Sequence, residues 1–130
     1  WVKPTAYTLT TKDMILGLSG APRFYMRYGT NPSFGWGNTF VAMTGFVTTL
    51  SVWQHVVWVY DGTNFKAYKN GALVSTQAYA GDGDSPSSPF YLGGDAASDW
   101  LEGSLSQTKI YNRALTLPEI SQLYNQGVPQ

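Results

Sequence analysis

The sequence predicts an all-β sandwich of antiparallel strands closed by one short helix, and two observations predict it. First, short runs of apolar, β-branched and aromatic residues alternate with clusters of Gly, Asn, Asp, Ser and Pro along the 130 residues. That alternation is the rhythm of an all-β chain. Second, hydrophobic residues reach 43% and aromatics 15% while charged residues supply only 12%, so a packed core is expected with solubility resting on uncharged polar side chains. A chain of this length makes one domain, since each half alone would bury too little surface.

The expected strands are residues 13–18, 23–28, 39–44, 54–60, 64–69, 73–79, 90–93 and 103–111. Residues 31–38, rich in Gly, Pro and Asn, read as loop, as do residues 81–89, composed of Gly, Asp, Ser and Pro. The centre is the clearest part. In Gln54-His55-Val56-Val57-Trp58-Val59-Tyr60 both strand faces carry apolar residues, which predicts a central strand covered on each side. Asp61-Gly62 supplies a turn, because glycine accepts positive φ without steric cost. Asn70-Gly71 is the favoured pair for a type I′ hairpin, so residues 54–79 form an antiparallel meander. Near the end, Thr116-Leu117-Pro118-Glu119 has the spacing of a capping box with proline in the first turn. Leu117, Ile120, Leu123 and Tyr124 make one apolar stripe, and Gly127 is placed to end the helix in a left-handed cap.

Composition excludes several functions. Eight basic residues balance eight acidic ones without clustering, so the basic stripe of a nucleic-acid binder is absent and no attraction to anionic membranes is expected. No apolar run approaches the length of a membrane-inserted helix. There is no cysteine, which rules out disulfides and thiolate zinc sites. A histidine-based metal cluster is excluded because His55 is the sole histidine, and a hydrogen-bonded structural role is expected for it. Trp53, Trp58, Tyr60, Phe65 and Tyr68 fall in expected strands and read as core.

Residues that remain as site candidates lie in loops. A retaining glycosidase needs two carboxyl groups about 5–5.5 Å apart. The only glutamates are Glu102 and Glu119, and Glu119 is accounted for as a cap, so catalysis is not expected. Asp82 and Asp84 flank a glycine, and Asp95 and Asp99 follow the next strand, which makes these four the candidate calcium ligands. A solvated turn would use the same residues. Trp36, flanked by glycines, and Trp100, following an acidic loop, are the candidate ligand-binding aromatics, together with the adjacent Asn38 and Asp99. A rigid exposed ring stacks on a sugar face or anchors a protein interface, although either ring could fold over the sandwich edge.

Several short stretches in order resemble the laminin G-like branch of the concanavalin A-like lectin/glucanase superfamily. They are Trp53-Gln54-His55-Val56, Val59-Tyr60-Asp61-Gly62, Tyr68-Lys69-Asn70-Gly71, Leu92-Gly93-Gly94-Asp95, and Ile110-Tyr111-Asn112-Arg113-Ala114-Leu115 followed by Glu119-Ile120. Trp1-Val2-Lys3-Pro4 resembles an early strand of the family. The resemblance implies a jelly roll of roughly a dozen strands, calcium in rim loops, and an extracellular, cell-surface or virion-surface setting. It implies a recognition module for a glycan or an extracellular protein, with a decoration or spacer domain contacting neighbouring subunits as the alternative and a glycoside hydrolase disfavoured. Lys69 stands where an apolar residue is common, and the strands that usually precede the Trp1–Pro4 segment are missing from the match. The domain is thus expected to belong to a longer protein, with the edge of that segment covered from elsewhere.

Overall fold

A computed structural model describes residues 1–7, 14–18, 23–28, 32–37, 39–79, 89–94 and 100–128. Ten strands and one helix are seen among them, all strand pairs being antiparallel. Strands β2 (Met14–Leu18), β3 (Arg23–Arg27), β4 (Ser33–Gly37), β5 (Thr39–Ala42) and β9 (Phe90–Leu92) form one sheet in the order β5-β4-β3-β2-β9. The facing layer consists of β6 (Val56–Tyr60), β7 (Asn64–Lys69) and β8 (Ala72–Ala78), extended by the pair β1 (Val2–Pro4) and β10 (Gly103–Leu105). Val2 joins the two parts of this layer by exchanging backbone hydrogen bonds of 2.9 and 2.8 Å with Gln54.

Two clusters fill the space between the layers. One gathers Phe34, Met43, Phe46, Phe65, Ala67 and Tyr79, with Val56 and Trp58 against it. Its rings touch in series, Phe34 to Phe65 at 3.8 Å, Phe65 to Tyr79 at 4.6 Å and Phe46 to Trp58 at 5.1 Å. The other gathers Val2, Ile15, Leu16 and Tyr28. On the outer face of β6 and β7, Val59 and Tyr68 pack against Leu115 and Ile120, which lays helix α1 (Leu117–Asn125) on the sandwich.

Local chemistry explains the meander. Asp61 Oδ1 accepts from the backbone N–H groups of Thr63 and Asn64 at 3.0 and 2.8 Å, fixing the first turn. Asn70 and Gly71 both take positive φ, 50° and 80°, as the type I′ pair requires. The helix begins as the capping spacing predicts: the backbone N–H of Thr116 donates to Glu119 Oε2 at 2.8 Å, and Gly127 follows the last turn at φ 99°. Leu117 of the expected stripe stays half exposed, while Ile120 is fully buried.

Four expectations are corrected. Residues 33–37 are a strand and not loop, because β4 is paired on both sides, by β3 and β5. The expected strand 103–111 is a strand only at Gly103–Leu105, Ser106 still exchanges backbone hydrogen bonds with Trp1, and residues 107–111 have no regular pairing among the described residues. β6 has both faces covered as expected, yet it is not central: within its sheet it pairs with β7 alone. Trp53 precedes that strand, half-buried, with the Lys3 ammonium 5.3 Å from its ring centre. At Val2 the segment of residues 1–4 is paired on both sides by this chain, by Leu105 and by Gln54. Residues 81–88 of the expected acidic loop lie outside the described residues.

Candidate functional site

Trp100 is the site candidate that the structure places in full. It bridges Gly94 just beyond β9 and remains 55% exposed. On β9 itself, Leu92 is 58% exposed although its partner Leu16 is buried, so the sandwich gapes along this border. Paired residues of an antiparallel sheet point to the same face. Leu92 therefore faces inward and still meets solvent.

Trp36 lies within β4, where its backbone is opposite Phe24 and Thr39. Between β4 and β9 stand β3 and β2, so three strand spacings, about 14 Å, separate their backbones. The two tryptophans therefore do not share one backbone neighbourhood. Asn38 and Asp99, their expected companions, lie outside the described residues, as do Asp82, Asp84 and Asp95 of the expected calcium set. Among the described residues no three His, Cys, Asp or Glu side chains come together as a metal would require.

The described acidic side chains have structural duties at two places. Asp61 accepts an ion pair from Lys66 at 2.6 Å, and this with the two turn N–H groups holds its carboxyl well below the usual range. Glu119 pairs with Arg113 at 2.6 Å. That bond, followed by those from Thr116, lowers its pKa to about 2. A carboxylate so tied is a poor proton donor at neutral pH. Glu102 is exposed, and its backbone carbonyl accepts from the Thr5 N–H at 2.7 Å and from the Tyr28 hydroxyl at 3.4 Å.

His55 is buried in an aromatic cluster, 5.3 Å from the Trp1 ring and 6.0 Å from the Tyr124 ring. The hydrogen bond expected of its side chain is not made at Nδ1, which is buried and has no partner among the described residues. Burial first, then the nearby Trp1 ammonium and Lys109, push its pKa down to about 4, so the ring is neutral at physiological pH. Gln54, which sequence reasoning passed over, is the better-connected polar residue. Its side-chain amide donates to Thr49 and Val52 carbonyls at 2.8 and 3.2 Å and accepts from the Thr49 N–H at 2.8 Å. The buried glutamine thus anchors the loop that enters β6.

One cavity of about 410 Å³ opens beside β6. Its floor is Ile15, Leu16, Met26 and Phe34 of the opposite sheet, and residues 107–115 form its far wall. On its lining Trp58 Nε1, like His55 Nδ1, is a buried nitrogen with no partner among the described residues.

Comparison with known proteins fits this architecture. The family model for laminin G-type domains of the concanavalin A-like lectin/glucanases superfamily matches residues 1–121. A native heptameric SAP-like pentraxin from Limulus polyphemus is similar with a TM-score of 0.69 at 19% identity, covering 95% of this chain. This chain spans 66% of that pentraxin chain, and the likeness speaks to a jelly-roll fold. An S-layer domain-containing protein from Clostridium thermocellum is similar with a TM-score of 0.43 at 21% identity, over 95% of this chain and 63% of that one. Among curated proteins no sequence matches.

Proposed function

We propose that this chain, which belongs to the laminin G-type family of the concanavalin A-like lectin/glucanases superfamily, is a non-catalytic recognition module that binds a glycan or an extracellular protein through its rim loops. The observation that carries the reading is Trp100, an exposed ring held at a fixed point on the sheet border. An indole there offers a flat apolar surface at small entropic cost, which suits a sugar face or a partner's apolar anchor. Asp99 beside it supplies hydrogen-bond acceptors, and Trp36 with Asn38 would form a separate contact along the same sheet. The setting is extracellular, on a cell surface or particle. Among the described residues no helix is long and apolar enough to cross a membrane.

Calcium belongs to the same proposal. Asp82, Asp84, Asp95 and Asp99 are oxygen donors of the type the ion takes, and their loops adjoin β9 and Trp100 in sequence. Bound calcium would link those carboxylates and, through Asp99, the edge that presents Trp100.

The test is a glycan array followed by titration of any hit with the wild type and with Trp100→Ala. Because the ring is more than half exposed, the variant is expected to fold normally and lose at least about tenfold in affinity. Unchanged affinity in the variant would contradict the placement of the site.

A further inference from the structure

The tip of the β7–β8 hairpin is clasped to the start of β6. Asn70 donates its backbone N–H to the His55 carbonyl at 2.8 Å, and its side-chain Oδ1 accepts from the His55 N–H at 3.0 Å. The turn that makes this possible needs two residues of positive φ, and Asn70 and Gly71 supply them at 50° and 80°. Packing narrows the choice at the second position. A Cβ on Gly71 would lie 3.1 Å from the Tyr124 ring of α1, so backbone and packing both ask for glycine after this asparagine.

That pair is also a reactive one. The Gly71 nitrogen is the next main-chain nucleophile after the Asn70 carboxamide, and it has no side chain of its own to crowd the approach. Its N–H makes no hydrogen bond among the described residues, so nothing in that set holds its proton. Asn70 is exposed, which puts the departing nitrogen in water. The His55 N–H already sits on Oδ1, the oxygen that becomes negative as the carbon is attacked, and a donor placed there stabilises that charge. No other asparagine is followed by glycine. Asn31 precedes proline, which has no N–H, Asn38 precedes the β-branched Thr39, and Asn64 precedes the buried Phe65. Asn112 and Asn125 precede Arg113 and Gln126. Asp61 does precede a glycine, but Lys66, Thr63 and Asn64 hold its carboxylate in the ionised form, which resists attack.

We propose that Asn70 is a site of spontaneous covalent modification, converting to isoaspartate through a succinimide closed by the Gly71 nitrogen. The atoms balance with water alone. Water takes the proton of the Gly71 amide, the nitrogen bonds to Asn70 Cγ, and the Cγ–Nδ2 bond breaks to release ammonia. A second water opens the ring at either carbonyl. One opening leaves aspartate, and the other carries the main chain through the side-chain carbonyl as isoaspartate. The two products act differently on the clasp. Aspartate keeps the Oδ1 acceptor and the backbone of the turn, so its bonds to His55 persist. Isoaspartate lengthens the main chain by one carbon, which the tight turn cannot hold, and moves the acceptor carbonyl into the backbone. The His55 amide then loses its partner and the entrance to β6 loosens. Hydrolysis does not restore the amide, so the converted fraction records the age of the folded domain.

The experiment ages the folded 130-residue chain at mildly alkaline pH, with the urea-unfolded chain in parallel. Trypsin releases residues 70–109, in which Asn70 is the only asparagine, so the mass gained there when an amide becomes a carboxyl reports this residue. In the folded protein Asn70 is expected to convert at least about tenfold faster than any other asparagine. The isoaspartyl form, separated by chromatography, is expected to exchange the His55 amide hydrogen at least about tenfold faster than the unaged protein. Asn70→Asp, the other product, should keep that amide protected. Conversion of the unfolded chain alone, or of another asparagine first, would overturn the proposal. An isoaspartyl form whose His55 amide exchanges as slowly as that of Asn70→Asp would overturn the release of β6.

Discussion

The meander of residues 56–78 and the segment of residues 106–111 were both expected to be strand, yet only the first is a sheet. β7 is paired along both edges, and each of its turns is made by residues adjacent in sequence, Asp61-Gly62 and Asn70-Gly71. Residues 106–111 have no such local partner. Ile110 is 68% exposed and Tyr111 42%, whereas Phe65 and Ala67 of β7 are fully buried. The difference teaches that a strand signal becomes a strand only where a second strand lies beside it, and local turn chemistry supplies that neighbour at one place only.

Substitutions break this contrast in order of size. Phe65→Ala should have the largest effect, because the ring is fully buried among Phe34, Tyr60 and Tyr79. A loss of about 3–5 kcal/mol is expected, read by urea unfolding. A loss below about 1 kcal/mol would mean that the core relaxes around the site. Gly71→Ala comes next. The residue has φ 80°, and an added Cβ would lie 3.1 Å from the Tyr124 ring. Strain of about 1–3 kcal/mol follows, and the variant should unfold at correspondingly lower urea.

His55 stands where the two regions meet and gives the contrast a pH dependence. Its folded pKa of about 4 lies below the ordinary 6.5, so the unfolded chain takes up the proton first. This contribution is complete above about pH 6.5 and declines as pH falls toward 4. The wild type should therefore lose melting temperature between pH 7 and pH 5 more steeply than His55→Phe, which keeps a ring against Trp1 and Tyr124. Parallel pH curves for the two would show that His55 does not titrate as buried. Ile110→Ala should have the smallest effect, within about 0.5 kcal/mol, since the side chain is mostly in water. A loss of more than about 2 kcal/mol would place Ile110 in the core.

What the sequence made legible follows the same division. The turns at Asp61-Gly62 and Asn70-Gly71 and the helix start at Thr116–Glu119 could be read because their physics is contained within four residues. β4 could not, since Phe34-Gly35-Trp36-Gly37 has glycine at alternate positions and becomes a strand by pairing with β3 and β5. The order β5-β4-β3-β2-β9, which keeps Trp36 away from the β9 border carrying Trp100, is likewise non-local. For Trp100 the sequence left two readings open, an exposed ring or one folded over the sandwich edge, and in the structure the ring is 55% exposed. Its role, with those of Asn38, Asp82, Asp84, Asp95 and Asp99, belongs to the proposed function, and the glycan titration with Trp100→Ala addresses it.

The claim that β6 keeps an open outer edge is tested most directly by hydrogen exchange at its successive amides in the 130-residue chain. Val57 and Val59 turn toward β7, so their amides should be protected at least about a hundredfold more than those of Val56 and Trp58, which turn toward the cavity. Equal protection along all four residues would contradict the open edge.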